Sequence, residues 1–145
     1  MANYILGSLK IRGNADKAIE FLNSTINGCS FYFDDDNQLQ TTFLADDFGY
    51  FKDSIETKIE TTEIKGFESL GIAYICFDEV GCRRNFETKY FLAKSQEYGL
   101  DFRYHGFESN RGVNHVIEII GEKVIWDDEI EFRDYFWECL YPFKG

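Results

Sequence analysis

His105 and His115 are the only histidines in the chain, and Glu108 and Glu118 lie close to them in sequence. A general acid–base pair needs an imidazole with carboxylates or a nucleophile converging on it. If the two histidines occupy neighbouring strands of a hairpin, their rings would face each other. That arrangement describes a small-ligand or hydrolytic site built on His105 and His115. The plain alternative is two ordinary surface histidines. Cys29, Cys76, Cys82 and Cys139 are scattered, with no C-x-x-C pair. Neither they nor the histidines show the short spacing of zinc knuckles, so no metal and no cofactor is expected. Cys76 lies in the apolar run Ile72–Phe77, where a thiol behaves as a small buried hydrophobe. Four unpaired thiols suit a reducing compartment, and a cytoplasmic location is expected.

The other chemistry-bearing residues are charged. Asp34-Asp35-Asp36, Asp46-Asp47, Asp78-Glu79 and the Asp127-Asp128-Glu129…Glu131 stretch form acidic clusters. The first lacks the Gly and the bidentate Glu of a calcium loop. Turns and helix starts favour Asp because its side chain accepts backbone N–H groups. Local capping accounts for each cluster singly. It does not account for the overall excess of 26 acidic over 15 basic side chains, a formal charge of -11. Residues 1–72 hold six basic and twelve acidic side chains, and residues 73–145 hold nine and fourteen, so the charge is no tail. Asp34, Asp35, Asp36, Asp46, Asp47, Asp127, Asp128, Glu129 and Glu131 are therefore the candidate partner-binding residues. Arg83-Arg84 reads as an anion contact or as the partner of Asp78 and Glu79. No glycine-rich phosphate loop is present.

The elements that must position these residues belong to one domain spanning residues 1–145, a normal length for a single core. Alternation over Ile5–Arg12 predicts a first strand. Asn14 suits a helix N-cap, and Ala18, Ile19, Leu22 and Ile26 recur at helical spacing. Ser30–Phe33 and Leu39–Leu44 read as a hairpin about the Asp34–Asn37 turn. Residues 45–69 read as an exposed strand or polar loop. Ile72–Phe77 is a strand that Asp78–Gly81 leaves. A second helix is expected over Arg83–Tyr98, closed by Gly99. Leu100–Phe107, Val113–Ile120 and Lys123–Trp126 are further strands. Asp127–Leu140 reads as a short amphipathic C-terminal helix capped by its aspartates. Two strand–helix–strand units on an antiparallel sheet describe a ferredoxin-like α+β sandwich. Aromatics form 18% of the chain, so the core should rest on rings. No apolar run reaches the ~18 residues of a membrane span, and the start lacks the features of a signal peptide.

Met1-Ala2-Asn3-Tyr4, followed by a strand ending Lys10-Ile11-Arg12-Gly13, resembles the opening of the YubB-like ferredoxin-like proteins of plasmids and phages. Leu100–Glu108 is similar to the aromatic strand that follows the second helix in that family. The resemblance spans about a third of the chain and implies a ferredoxin-like fold and a mobile-element setting. It supplies no catalytic residue.

Two functions are compatible with these features. An acidic, aromatic-rich domain can enter a basic nucleic-acid channel, its carboxylates replacing phosphates. With the mobile-element setting, this describes a non-enzymatic inhibitor of a host nucleic-acid-targeting defence system, of anti-CRISPR or antirestriction type. Its partner would be a basic host protein such as a nuclease effector, with no direct contact to nucleic acid or membrane. The alternative is the ligand-binding or hydrolytic domain built on His105 and His115.

Overall fold

In the computed structural model, the described residues are 4–44, 49–60, 63–109 and 111–131. The centre of the fold is β1 (Tyr4–Asn14), which pairs antiparallel on one side with β6 (Ile72–Arg83) and on the other with β7 (Asp101–Glu108). Outside β7 lie β8 (Val113–Ile120) and β9 (Lys123–Glu131). Outside β6, two short strands share its free edge, β4 (Thr57–Ile59) and β5 (Ile64–Ser69). β2 (Cys29–Phe33) and β3 (Leu39–Phe43) form a separate hairpin. With α1 (Ala15–Thr25) and α2 (Thr88–Tyr98), this is an α+β fold, mostly antiparallel sheet.

Both helices cover one face. Phe21 of α1 meets Phe102 edge-on at 5.5 Å between ring centroids, and Phe91 of α2 meets the same ring at 5.3 Å. Alternation puts Ile5, Leu9, Ile11, Ile75, Phe77, Phe102, Tyr104, Ile117 and Ile119 on that face, all buried. The expected aromatic core is present. Phe86 stacks on Phe91 at 4.7 Å and on Tyr104 at 4.5 Å. The Tyr104 hydroxyl donates to the Val80 carbonyl at 2.8 Å, which satisfies the polar end of a fully buried ring.

Local signals place most elements. Asn14 caps α1 by accepting the Lys17 N–H at 3.0 Å, and Gly99 closes α2 in the left-handed conformation at φ 68°. Asp34 holds the β2–β3 turn, accepting from the N–H groups of Asp36 and Gln38 and the amide of Gln40.

Four expectations are corrected. Asp78–Gly81 does not leave its strand, because β6 absorbs an irregularity opposite Gly7–Leu9 and continues to Arg83. The second helix starts at Thr88 rather than Arg83, because Arg83 is still paired with Tyr4 and Arg84 takes φ 77°. Phe86 thus reaches the core from the approach to α2. Asp127–Glu131 are strand and not the first turn of a helix, because residues 123–131 pair along the whole of β8; the rest of that expected helix, 132–140, lies outside the described residues. The first strand–helix–strand unit is not closed on the main sheet, since β2 pairs only with β3. The second is present as β6–α2–β7, with β1 between its strands.

Phe91 is fully buried and touches Phe51, Phe86, Tyr90 and Phe102. Phe91→Ala is expected to lose about 3–5 kcal/mol of stability, measured by urea denaturation. A loss below about 1 kcal/mol would mean that α2 does not pack in this register.

Candidate functional site

The sheet separates the two histidines. His115 lies opposite Gly106 and His105 lies opposite Val116, so the rings emerge on opposite faces. The expected facing pair does not form. Glu118 shares the His105 face, acts on that imidazole through its charge, and holds Arg103 at 2.9 Å. His105 is half-buried on the face away from the helices, where burial and then Arg103 lower its proton affinity.

On the helix side, His115 joins a different group. Its Nε2 lies 2.9 Å from Glu108 Oε1 and its Nδ1 lies 3.7 Å from Glu129. Arg111 donates to both Glu108 oxygens, at 2.6 and 2.9 Å, and reaches Glu129 at 3.6 Å. Glu108 is fully buried and His115 is 4% exposed. The strand register of Glu108, opposite Ile5 and Val113, turns it inward. The Arg111 hydrogen bonds, helped by His115, hold the Glu108 carboxyl below its ordinary range despite burial. This group satisfies a buried carboxylate and ties β7, β8 and β9 together.

The acidic candidates divide into three groups. Asp34, Asp35 and Asp36 form the tip of the β2–β3 hairpin, beside β5. Backbone donation, chiefly from Gln38, lowers the Asp34 pKa, so that carboxylate has a structural task. Asp127, Asp128, Glu129 and Glu131 stand on β9, at the opposite edge of the sheet, where all nine residues are exposed. Asp127, Glu129 and Glu131 share the helix side of that strand, and Asp128 shares the other side with Trp126 and Ile130. Asp46 and Asp47 lie outside the described residues. The hairpin cluster and the β9 cluster are thus separated by the width of the sheet. Arg84 meets Glu56 at 3.9 Å, not Asp78 or Glu79.

Cys29, Cys76 and Cys82 are free thiols; burial pushes Cys29 up to about 11 and Cys82 up to about 12. Cys139 lies outside the described residues. Among the described residues, no group of three or more Cys, His, Asp or Glu is arranged to hold a metal, and no helix is long and apolar enough to cross a membrane.

Sequence reasoning missed a groove of about 300 Å³ on the face away from α1 and α2, lined by Lys10, Arg12, Lys65, Arg103, Phe67 and Tyr74 among others. The signal was the alternation itself. Lys10, Arg12 and Arg103 occupy the positions between core residues of β1 and β7. It became readable only once the strand order was known. Comparison of the chain with family models, curated proteins and solved structures finds no match.

Glu108 sets a pH dependence. A carboxyl with a lowered folded pKa contributes stability above its ordinary value, 4.5, and loses it as pH falls through the folded value. Wild type is expected to lose more stability than Glu108→Gln on acidification from neutral pH to below 4.5, measured by urea melts. Parallel losses in the two proteins would remove Glu108 as the titrating group.

Proposed function

We propose that the protein is a non-enzymatic binding domain that blocks a basic, nucleic-acid-handling protein by docking the acidic edge of its sheet onto that partner. The observation that carries this reading is β9. It is an exposed edge strand bearing Asp127, Asp128, Glu129 and Glu131 beside Ile125 and Trp126, which are 56% and 43% exposed. Ile125 and Trp126 thus add apolar contact surface among those carboxylates. Buried rings supply binding energy at interfaces, while surrounding charges steer encounter and select the partner. Carboxylates on one side of a strand repeat every ~6.6 Å, a regular row that basic side chains of a nucleic-acid channel can meet.

The topology supports the ferredoxin-like part of the reading. The antiparallel order β4-β6-β1-β7, with β1 between the two strands of β6–α2–β7, is what supports it. β8 and β9 extend it, and the β2–β3 hairpin is inserted. With the YubB-like resemblance at residues 1–13 and 100–108, we place the protein in a mobile-element setting, as an anti-defence factor of anti-CRISPR or antirestriction type acting in the cytoplasm. The β9 edge serves this role better than Asp34–Asp36, because Asp34 is committed to its own turn.

The test uses the purified protein as bait in a host lysate at low and near-physiological salt, followed by competition with duplex DNA. A captured basic nucleic-acid-binding protein should be released by DNA and by salt, since exposed charge pairs are screened within about 8 Å at physiological ionic strength. Asp127→Asn/Asp128→Asn/Glu131→Gln should slow association at least tenfold with little change in dissociation, while Trp126→Ala should mainly speed dissociation. Glu129 is left in place because it meets His115 and Arg111. Binding that ignores both salt and the triple variant would refute the reading.

A further inference from the structure

The sheet face away from α1 and α2 gathers Lys10, Arg12, Lys65 and Arg103, with Asp101 and Glu118 paired to the two arginines. Strand register places Lys65, Cys76, Lys10 and Arg103 in one row across β5, β6, β1 and β7. The next row is Phe67, Tyr74, Arg12 and Asp101 on the same four strands. Both rows line the ~300 Å³ groove. Phe67 and Tyr74 are stacked, with centroids 5.1 Å apart and planes at 23°, yet they stay 46% and 40% exposed. The two arginines are held by carboxylates, Arg12 by Asp101 at 2.7 Å and Arg103 by Glu118 at 2.9 Å. Among the described residues, Lys10 and Lys65 have no carboxylate in ion-pair distance; the nearby Asp78 instead accepts from the Cys76 thiol at 3.5 Å.

We propose that this face binds a nucleoside monophosphate, the base stacking on the Phe67–Tyr74 pair and the phosphate meeting Lys10 and Lys65. Two lysines flanking one strand position form an anion seat in a chain of charge -11, where chance placement of free cations is least expected. Rings beside that seat give the flat, apolar half of the ligand its surface, and every base offers a π-face for it. The two rows are separated by one two-residue step of strand, about 6.6 Å, which suits one ligand carrying a ring at one end and an anion at the other. Arg12 and Arg103 arrive already oriented by their carboxylates, so their donors cost little further ordering.

Size and charge select the mononucleotide over a polymer. The groove stands at the lower end of small-ligand sites, roughly 300–1,000 Å³. A strand of nucleic acid leaving it across the sheet would pass toward Asp34–Asp36 beside β5 on one side and toward the β9 carboxylates on the other. Both edges repel a polyanion. A ligand with one phosphate fits between them.

The experiment is isothermal titration of the full chain with AMP, GMP, CMP and UMP, against inorganic phosphate, adenosine and a single-stranded DNA oligonucleotide. At least one monophosphate should bind saturably, at least tenfold tighter than phosphate, than adenosine and than the oligonucleotide per site. Phe67→Ala and Lys10→Gln/Lys65→Gln should each weaken it tenfold or more, and Phe67→Trp should retain it. These side chains are exposed or at the groove wall, and unchanged urea melts would confirm folded variants. Absence of saturable binding by all four monophosphates overturns the proposal. Equal binding of phosphate reduces the site to an anion seat and overturns it too, as does tighter binding of the oligonucleotide. Retained affinity in the lysine variant places the ligand elsewhere. None of these outcomes depends on β9, so they stand apart from the test of partner docking.

Discussion

The close approach of β1 to β7 at Gly7 and Gly106 is the constraint on which the rest of the structure depends. The two glycines face each other in register. A Cβ on Gly7 would run into the His105 carbonyl and the Gly106 Cα, both backbone atoms that cannot swing aside. A Cβ on Gly106 would meet Ile5 and the Tyr104 ring. The missing side chains let Tyr104 fill the space over β1 and reach the Val80 carbonyl on the far side. One contact thereby sets the register of three strands. Because side chains alternate strictly along a strand, a slip of one residue would exchange core and surface for every residue of β1.

That register sorts the charges. On the face away from α1 and α2 it brings Lys65, Lys10 and Arg103 into one row at the middle of the sheet. Asp34–Asp36 at the hairpin tip and the four carboxylates of β9 lie at the edges, while Asp101 and Glu118 at the centre are paired with Arg12 and Arg103. The two proposed activities use different parts of this pattern. In these proposals β9 is the surface for a basic macromolecule, and the Lys10–Lys65 groove is the seat for a small anion.

The same alternation explains why Glu108 is a buried acid. Glu108 must face the core side because Ile5 and Val113 flank it there. An unpaired buried carboxylate would cost several kcal/mol, and Arg111 three residues on supplies the charge that makes burial tolerable. His115 and Glu129 complete the group from β8 and β9. The histidine that looked available for chemistry is used to hold strands together, and its distance from His105 follows from strand parity alone.

Local chemistry was legible in the chain. Asn14 accepts from Lys17, Gly99 ends α2, Asp34 closes a hairpin turn and the apolar alternation of β1 and β7 marks the core, because each depends on neighbours within a few residues. The α+β class and the aromatic core followed from the same signals. The boundary of α2 was not legible, because the left-handed turn at Arg84 and the pairing of Arg83 with Tyr4 depend on a strand some eighty residues away. Nor was the second half of β9, Asp127–Glu131, whose acidic residues read as a helix cap until pairing with β8 extended the strand begun at Lys123. The candidate sites depended on the same long-range information. Lys10, Lys65 and Arg103 are far apart in sequence and become one row only through the order β5-β6-β1-β7. Residue type determined what each side chain can do; strand pairing decided which of them meet.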